Sequence, residues 1–258
     1  MKALLLTVTR VAAPLCLALA SMALPAAAAE FSPAQTREIG DIVRDYLVDH
    51  PEVLRDAMVE LDRREKAEQA AAREKIISET GQLFTSTHQA VVGNPNGKVT
   101  LVEFFDYNCG YCKRSLEDLA KLMKDEPNLR VILKDFPVLG PGSVEAAQVA
   151  SALRNQFSGD KFWTFHQKLL LTRGQVGKAQ ALAVAKDMGA DMSKLDRDMA
   201  NPDVKAGIQE VMQMADGLNL TGTPSWVVGK EVVVGAVGYD ELKGKISNVA
   251  KCGKAVCS

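Results

Sequence analysis

The tetrad Cys109-Gly110-Tyr111-Cys112 stands at a junction that few folds accommodate. An apolar run over residues 99–105 ends just before it, and helical spacing begins with it. Only Thr100 and Glu103 interrupt the run, the pattern of a strand buried on both faces. A strand that feeds a helix through a Cys-x-x-Cys pair is the context in which such a pair reads as redox chemistry. At a helix start, free N–H groups and a partial positive charge favour a thiolate over a thiol. They draw the pKa of a cysteine there into a range of about 3.5–7.5. Cys109 is expected to be the exposed nucleophile and Cys112, one turn into the helix, the more buried resolving thiol. Half a zinc site and an inert disulfide are the alternatives. Structural zinc takes four ligands, the other cysteines lie far away, and His50, His88 and His166 have no ligand spacing. No metal is expected.

The strand–helix pattern repeats along the chain. Residues 89–93 are a short β-prone run, followed by the turn signal Gly93-Asn94-Pro95-Asn96-Gly97. A second buried strand spans residues 129–136. Residues 143–217 carry only helical patterns, broken near Gly159, Gly177, Gly189 and Asn201-Pro202. Strand signals return at residues 225–228 and 231–234, and a last helix spans residues 239–251. Periodicity alone supports an α/β domain, about residues 88–258, with an inserted helical region at about 143–217.

The two ends differ from this domain. Lys2 and Arg10 precede an apolar stretch, residues 11–24, and Ala27-Ala28-Ala29 precedes Glu30. That order reads as a secretory signal over residues 1–29, cleaved near Ala29. The stretch is shorter than the ~20 apolar residues of a spanning helix. Cleavage would remove Cys16 and leave Cys109, Cys112, Cys252 and Cys257, in a compartment where disulfides persist. Residues 30–87 then read as a helical stem. Ser32-Pro33-Ala34-Gln35 carries a capping box with proline at the first helical position. Ile39, Ile42, Val43, Tyr46 and Leu47 follow at helical spacing, and Pro51 restarts a helix with Val53, Leu54, Ala57, Met58 and Leu61. A stripe this narrow cannot form a core alone. Self-association is expected, because residues 62–75 are charged and alanine-rich like a solvated stalk; an arm folded onto its own domain is the alternative.

Glu103 interrupts a buried strand six residues before Cys109. A carboxyl buried there needs a partner or a proton. Desolvation would raise its pKa and make it a proton acceptor for Cys112. Lys134, late in the next strand, is a candidate partner. Cys252 and Cys257 close a short loop and read as a structural disulfide, with a regulatory or second redox role as the alternative. Phe162, Trp163, Phe165 and His166 read as packing rather than as an apolar patch for unfolded substrates. Met188, Met192, Met199, Met212 and Met214 have mostly helical spacing and read as core rather than copper ligands.

The run Glu103-Phe104-Phe105-Asp106-Tyr107-Asn108-Cys109-Gly110-Tyr111-Cys112-Lys113-Arg114 is similar to that of the DsbA-related periplasmic thioredoxin-like proteins. The run from Phe136 through Pro137-Val138-Leu139-Gly140-Pro141-Gly142 to Ser143, and Gly222-Thr223-Pro224-Ser225, extend the likeness. Within that family the chain most resembles the ScsC (suppressor of copper sensitivity protein C) branch, over about residues 88–251 and again in the stem. The resemblance implies a thioredoxin-like fold with an all-helical insert and dithiol–disulfide exchange on exported proteins. It implies a membrane-bound thiol reductase as redox partner and a stem that oligomerises, in some members as a trimer. By position, Cys109 is the nucleophile, Cys112 the resolving cysteine, Pro224 a cis-proline, Thr223 its groove neighbour and Glu103 the buried acid.

The chain departs from DsbA between the cysteines, where strong oxidases carry Pro-His. Tyr111 brings no positive charge, so the site should be less oxidising. Gly110-Tyr111 with Thr223 also resembles the exported disulfide isomerases. The expected activity is that of a periplasmic disulfide isomerase or reductase acting on unfolded or misdisulfided proteins, without a cofactor. A DsbA-like oxidase and a copper-binding or copper-buffering protein are the alternatives. A net charge of −1 gives no reason to expect nucleic acid.

Overall fold

The computed structural model describes residues 31–79 and 81–257. The expected signal segment, with Cys16, lies outside the described residues. The chain falls into two units that divide after Val59.

In the first unit, helix α1 (Pro33–Asp49) starts as the sequence predicts. The Gln35 N–H donates to Ser32 Oγ at 3.3 Å, and the Ser32 N–H donates to Gln35 Oε1 at 2.9 Å. Helix α2 (Pro51–Glu79) runs across the dividing point. Ile39, Ile42, Val43, Tyr46, Leu54 and Met58 are all exposed.

The second unit begins at Glu60. The charged run is paired along its own helix, Glu60 with Arg63 and Arg64, and Asp62 with Lys66. It is anchored further on, where Arg73 donates to the carbonyls of Leu218 and Asn219 at 2.8 and 2.9 Å. Ile77 and Leu83, the latter in the short helix α3 (Gln82–Thr85), are buried against the sheet. Beyond Arg73 the helix has apolar positions that the domain buries.

The sheet has five strands, β1 (Ala90–Gly93), β2 (Val99–Phe105), β3 (Leu129–Asp135), β4 (Ser225–Val228) and β5 (Glu231–Val234). Their spatial order is β1-β3-β2-β4-β5; β2 and β3 are parallel and the other pairs antiparallel. Helix α4 (Gly110–Asp125) makes the crossover that a parallel pair requires. Between β3 and β4 lie α5 (Pro141–Leu153), α6 (Gly159–Leu170), α7 (Lys178–Asp187), α8 (Met192–Met199) and α9 (Pro202–Gly217), the expected all-helical insert. Helix α10 (Tyr239–Cys252) closes the unit. The mixed sheet with its helical insert is a thioredoxin-like fold.

Alternation along the strands sorts the core into two faces. Leu101, Phe105, Leu133 and Trp226 pack with α4, α5, α6 and α10. Val102, Phe104, Ile132 and Val227 pack with Ile77, Leu83 and the α9 residues Val211 and Ala215. Phe162, Phe165 and His166 are buried in the first core, so the packing reading of that cluster holds. Met188, Met192 and Met199 pack against the same core, and Met214 against the second; Met212 is exposed.

The turn before β2 leaves no room at Gly97. A Cβ there would stand 2.4 Å from the Asn128 carbonyl oxygen and 2.7 Å from the Arg130 nitrogen, both backbone atoms at the start of β3. Gly97→Ala must therefore push β2 and β3 apart at their entry. It is expected to lower unfolding stability by about 1–3 kcal/mol in urea titration; an unchanged midpoint would contradict that packing.

Candidate active site

Cys109 is the N-cap of α4, with extended backbone (φ −78°, ψ 117°). Its Sγ accepts the Cys112 N–H at 3.4 Å, one of the orphan donors of the first turn. The loop behind it is fastened by Asp106. One carboxyl oxygen of Asp106 accepts the Asn108 N–H at 2.8 Å and the Ser143 hydroxyl at 2.7 Å. The other accepts the N–H groups of Val138 and Leu139 at 2.8 and 2.9 Å. Asn108 donates to the Val176 carbonyl at 2.9 Å and accepts its N–H at 2.7 Å. Three loops are thereby tied together around the cysteine pair. Sequence reasoning missed both residues; the available signal was a pair of Asx side chains flanking Tyr107 between strand end and helix start, the composition of an Asx-turn.

The sheet brings the second loop to the same place. Strand β4 pairs with β2 in the register Phe104↔Ser225 and Glu103↔Trp226. The residue before β4, Pro224, follows a cis peptide bond from Thr223. In its thiol form Cys109 donates to the Thr223 carbonyl at 3.1 Å. The expected exposure of Cys109 is corrected by this contact: only 5% of its surface is open, against 1% for Cys112, because the cis-proline loop covers one side of the sulfur. Both cysteines are free thiols. Tyr111 is exposed beside them, and the Arg114 guanidinium lies 4.1 Å from its ring centroid.

The two sulfurs differ in charge. A hydrogen bond from the Cys112 side chain, with further ones from Thr223 and from the Cys112 and Tyr111 N–H groups, pulls the Cys109 thiol down to about 5 against its burial. Cys112 is pushed far above the ordinary thiol range, because it keeps its proton to donate to Cys109, is buried, and faces the charge of Glu103. At neutral pH the pair holds one thiolate and one thiol. Glu103 is 2% exposed, and burial together with the Cys109 charge raises its carboxyl to about 8. Its Oε2 has no hydrogen-bond partner among the described residues.

Lys134 is not that partner. In the β2–β3 register Glu103 stands opposite Leu133, and Lys134 stands opposite Phe104. Neighbouring residues point to opposite faces, so Lys134 enters the second core, where Glu210 is the acid whose charge acts on it. Cys252 and Cys257 form a disulfide with S–S 2.05 Å after α10. Among the described residues no group of three or more His, Cys, Asp or Glu side chains is placed to hold a metal ion.

The thioredoxin family model matches residues 85–248, and that of the copper resistance protein ScsC N-terminal domain matches residues 35–68. The chain is similar to a thioredoxin-like oxidoreductase from Silicibacter pomeroyi DSS-3, with 38% identity and a TM-score of 0.63, covering 67% of this chain and 99% of the other. It is similar to ScsC of Proteus mirabilis in a transitional conformation, with 30% identity and a TM-score of 0.63, covering 86% and 98% of the two chains. It is 27% identical to disulfide bond formation protein D of Bacillus subtilis, over 63% of this chain and 78% of the relative. The chain spans 24% and 21% of two other curated relatives, the Na(+)/H(+) antiporters NhaA 1 of Salinispora arenicola and NhaA 3 of Salinispora tropica. Among the described residues no helix is long and apolar enough to cross a membrane.

The raised carboxyl of Glu103 makes stability depend on pH. A group whose pKa rises from 4.5 to about 8 on folding contributes fully below pH 4.5, and that contribution is lost as pH rises through about 8. In the reduced state, Glu103→Gln should therefore gain on the parent by about 2–4 kcal/mol at the upper end of this window and by nothing at its lower end. Urea unfolding of both proteins across the window tests this; a difference independent of pH would contradict a neutral Glu103.

Proposed function

The chain belongs to the thioredoxin family, and from that premise we propose that it is an exported thiol–disulfide oxidoreductase acting on protein disulfides, as an isomerase or reductase. The observation that carries this reading is the Cys109 sulfur at the mouth of α4, held at about pKa 5 and 3.1 Å from the Thr223 carbonyl of the cis-proline loop.

The Cys109 thiolate attacks one sulfur of a substrate disulfide. A mixed disulfide forms and the other substrate sulfur leaves as a thiolate. Half-buried Thr223, beside the buried Pro224, offers backbone groups to the extended chain that carries the target. Two outcomes follow. In isomerisation a different substrate thiolate displaces Cys109 and forms the new substrate disulfide. In reduction Cys112 gives its proton to Glu103 and attacks Cys109 Sγ; the substrate sulfur leaves as a thiolate, which takes a proton from solvent, and the Cys109–Cys112 disulfide remains. Two electrons from a membrane-bound thiol reductase then restore the dithiol. The two sulfurs carry the electrons, and the cycle needs no cofactor.

Gly110-Tyr111 favours the isomerase and reductase side of this chemistry. No cationic side chain acts on Cys109 among the causes of its lowered pKa. Residues 31–59 support an oligomer, because they expose Ile39, Ile42, Val43, Tyr46 and Met58 in two consecutive helices. Several sites held around one substrate raise the local concentration of nucleophile. The likeness to the ScsC N-terminal domain model, residues 35–68, covers the same segment. Export is supported by the signal pattern of residues 1–29 and by the Cys252–Cys257 disulfide.

Refolding of a scrambled multi-disulfide protein tests this reading. The reduced full-length chain should restore native pairings, and Cys109→Ser should abolish the activity. A chain lacking residues 31–59 should fall to a monomer by light scattering and lose isomerisation more than simple reduction. Disulfide formation in a reduced substrate, with no effect on scrambled pairings, would favour the oxidase instead. An unchanged mass would end the oligomer proposal.

A further inference from the structure

Glu103 has a difficulty that the cysteine chemistry alone does not resolve. Its carboxyl is protonated in most molecules at neutral pH, so it must lose its own proton before it can take the one on Cys112. It has almost no contact with solvent. Any proton that reaches or leaves it crosses a buried layer.

That layer contains a series of polar groups that thiol–disulfide exchange itself does not use. Besides Glu103 Oε2, the buried side-chain atoms without a protein partner include the Tyr107 hydroxyl and Asp135 Oδ1. Strand register puts the two carboxyls on one face: Glu103 is opposite Leu133, and Asp135 two residues on is opposite Phe105. Diagonal neighbours in a parallel pair are about 8 Å apart at Cα from the strand spacing and rise, a gap that one hydroxyl and a water can span. Tyr107 comes from the same side, its ring 5.0 Å from that of Phe105 and 5.6 Å from that of His166. Its phenol is pushed well up by burial and by the charges of Asp135 and Glu103, so it stays a neutral hydroxyl. Asp135 is bound through its other oxygen to Arg154, at 2.7 Å. Arg154 lines a groove of about 200 Å³ together with Ser151, Asn155 and Asn201. Side-chain exposure rises from 4% at Asp135 to 13% at Arg154.

We propose that Tyr107 and Asp135, joined by internal water, form the proton path between Glu103 and the solvent groove at Arg154. The proposal rests on the oxidoreductase reading and adds two positioning groups to it. Buried polar atoms without protein partners are where internal waters sit, each making about three hydrogen bonds. The transfer balances as a relay. Protonated Glu103 gives its proton towards Tyr107, whose hydroxyl accepts on one side and releases its own proton on the other. Asp135 takes that proton and passes it to groove water, and Arg154 keeps its charge throughout. Glu103 is left as a carboxylate, ready for the Cys112 proton.

The charged and titratable groups facing this layer are Glu103 from β2, Asp106 from the loop after it, the Cys109 thiolate at the N-cap of α4, Cys112 within α4, Asp135 from β3, Arg154 from the end of α5 and His166 from α6. Asp106 is excluded from the path because its two oxygens already accept four hydrogen bonds. Burial drives the His166 imidazole down to about 3, so it stays neutral beside Tyr107.

The test is the reaction of the reduced full-length protein with Ellman's reagent in stopped flow. The first release of thionitrobenzoate reports attack by Cys109, and the second reports resolution by Cys112. Tyr107→Phe keeps the ring and removes the hydroxyl; Asp135→Asn keeps the shape and removes the proton site. Each should leave the first phase within about twofold and slow the second at least about tenfold at pH 7. The deficit should shrink as pH rises past about 8, where Glu103 is already ionised. The double variant should be no slower than the slower single one, as for groups in series. A second phase at the parental rate in either folded variant, or a deficit equal at all pH values, overturns the relay. A slow first phase in the parent protein would instead sink the oxidoreductase reading itself. Should Tyr107→Phe fail to fold, the second phase of Asp135→Asn decides between the same two outcomes.

Discussion

The register of β2 against its two neighbours fixes the chemistry. On one side, pairing with β3 turns Glu103 towards α4 and sends Phe104 and Lys134 to the opposite core. On the other, pairing with β4 brings the Thr223–Pro224 peptide level with the end of β2, where the chain leaves for Cys109. A slip of one residue would exchange every face. Glu103 would then turn into the opposite core, and a phenylalanine would face Cys112. The Cys109 thiolate, the Cys112 thiol and the proline loop are thus placed together by one central strand, held on both sides by apolar residues that cannot be moved to water cheaply.

Within that frame two carboxyls three residues apart are treated in opposite ways. Asp106 accepts four hydrogen bonds and ties the cysteine loop to the segments around Val138 and Ser143. Glu103 has one oxygen without a protein partner and is held neutral by burial. The first arrangement gives rigidity. The second carries a desolvation cost of about 1–3 kcal/mol, which the proposed acceptance of the Cys112 proton would explain. The same logic separates the sulfurs: donors surround Cys109, whereas Cys112 is itself the donor.

Much of this is legible in the residues. The strand–Cys-x-x-Cys–helix junction places the start of α4, because a helix start and a redox pair share one physical cause. Strands β4 and β5 lie at the bounds their pattern indicates, since Gly-Thr-Pro and Gly229-Lys230 punctuate short runs of valine. The Lys134 pairing fails for a reason the linear pattern hides: both strands are apolar on two faces, so alternation does not say which face a lone charge takes. The exposure of Cys109 is less than its sequence context suggests because its cover comes from Thr223, more than a hundred residues away. The contacts of Arg73, Ile77 and Leu83 are not legible because these residues carry no sign of their partners at the end of α9 and on the sheet. Asp106 and Asn108 are easily passed over beside the cysteines, although their roles are local and of a known turn chemistry.

All of these features serve a sulfur kept as an anion at the first turn of α4. The most direct check is the rate of alkylation of Cys109 in the reduced protein as a function of pH, with the labelled residue identified by mass spectrometry. The rate should be half-maximal near pH 5, with Cys112 unlabelled across the neutral range. A midpoint near the ordinary thiol value of about 8.5, or equal labelling of the two cysteines, would contradict it.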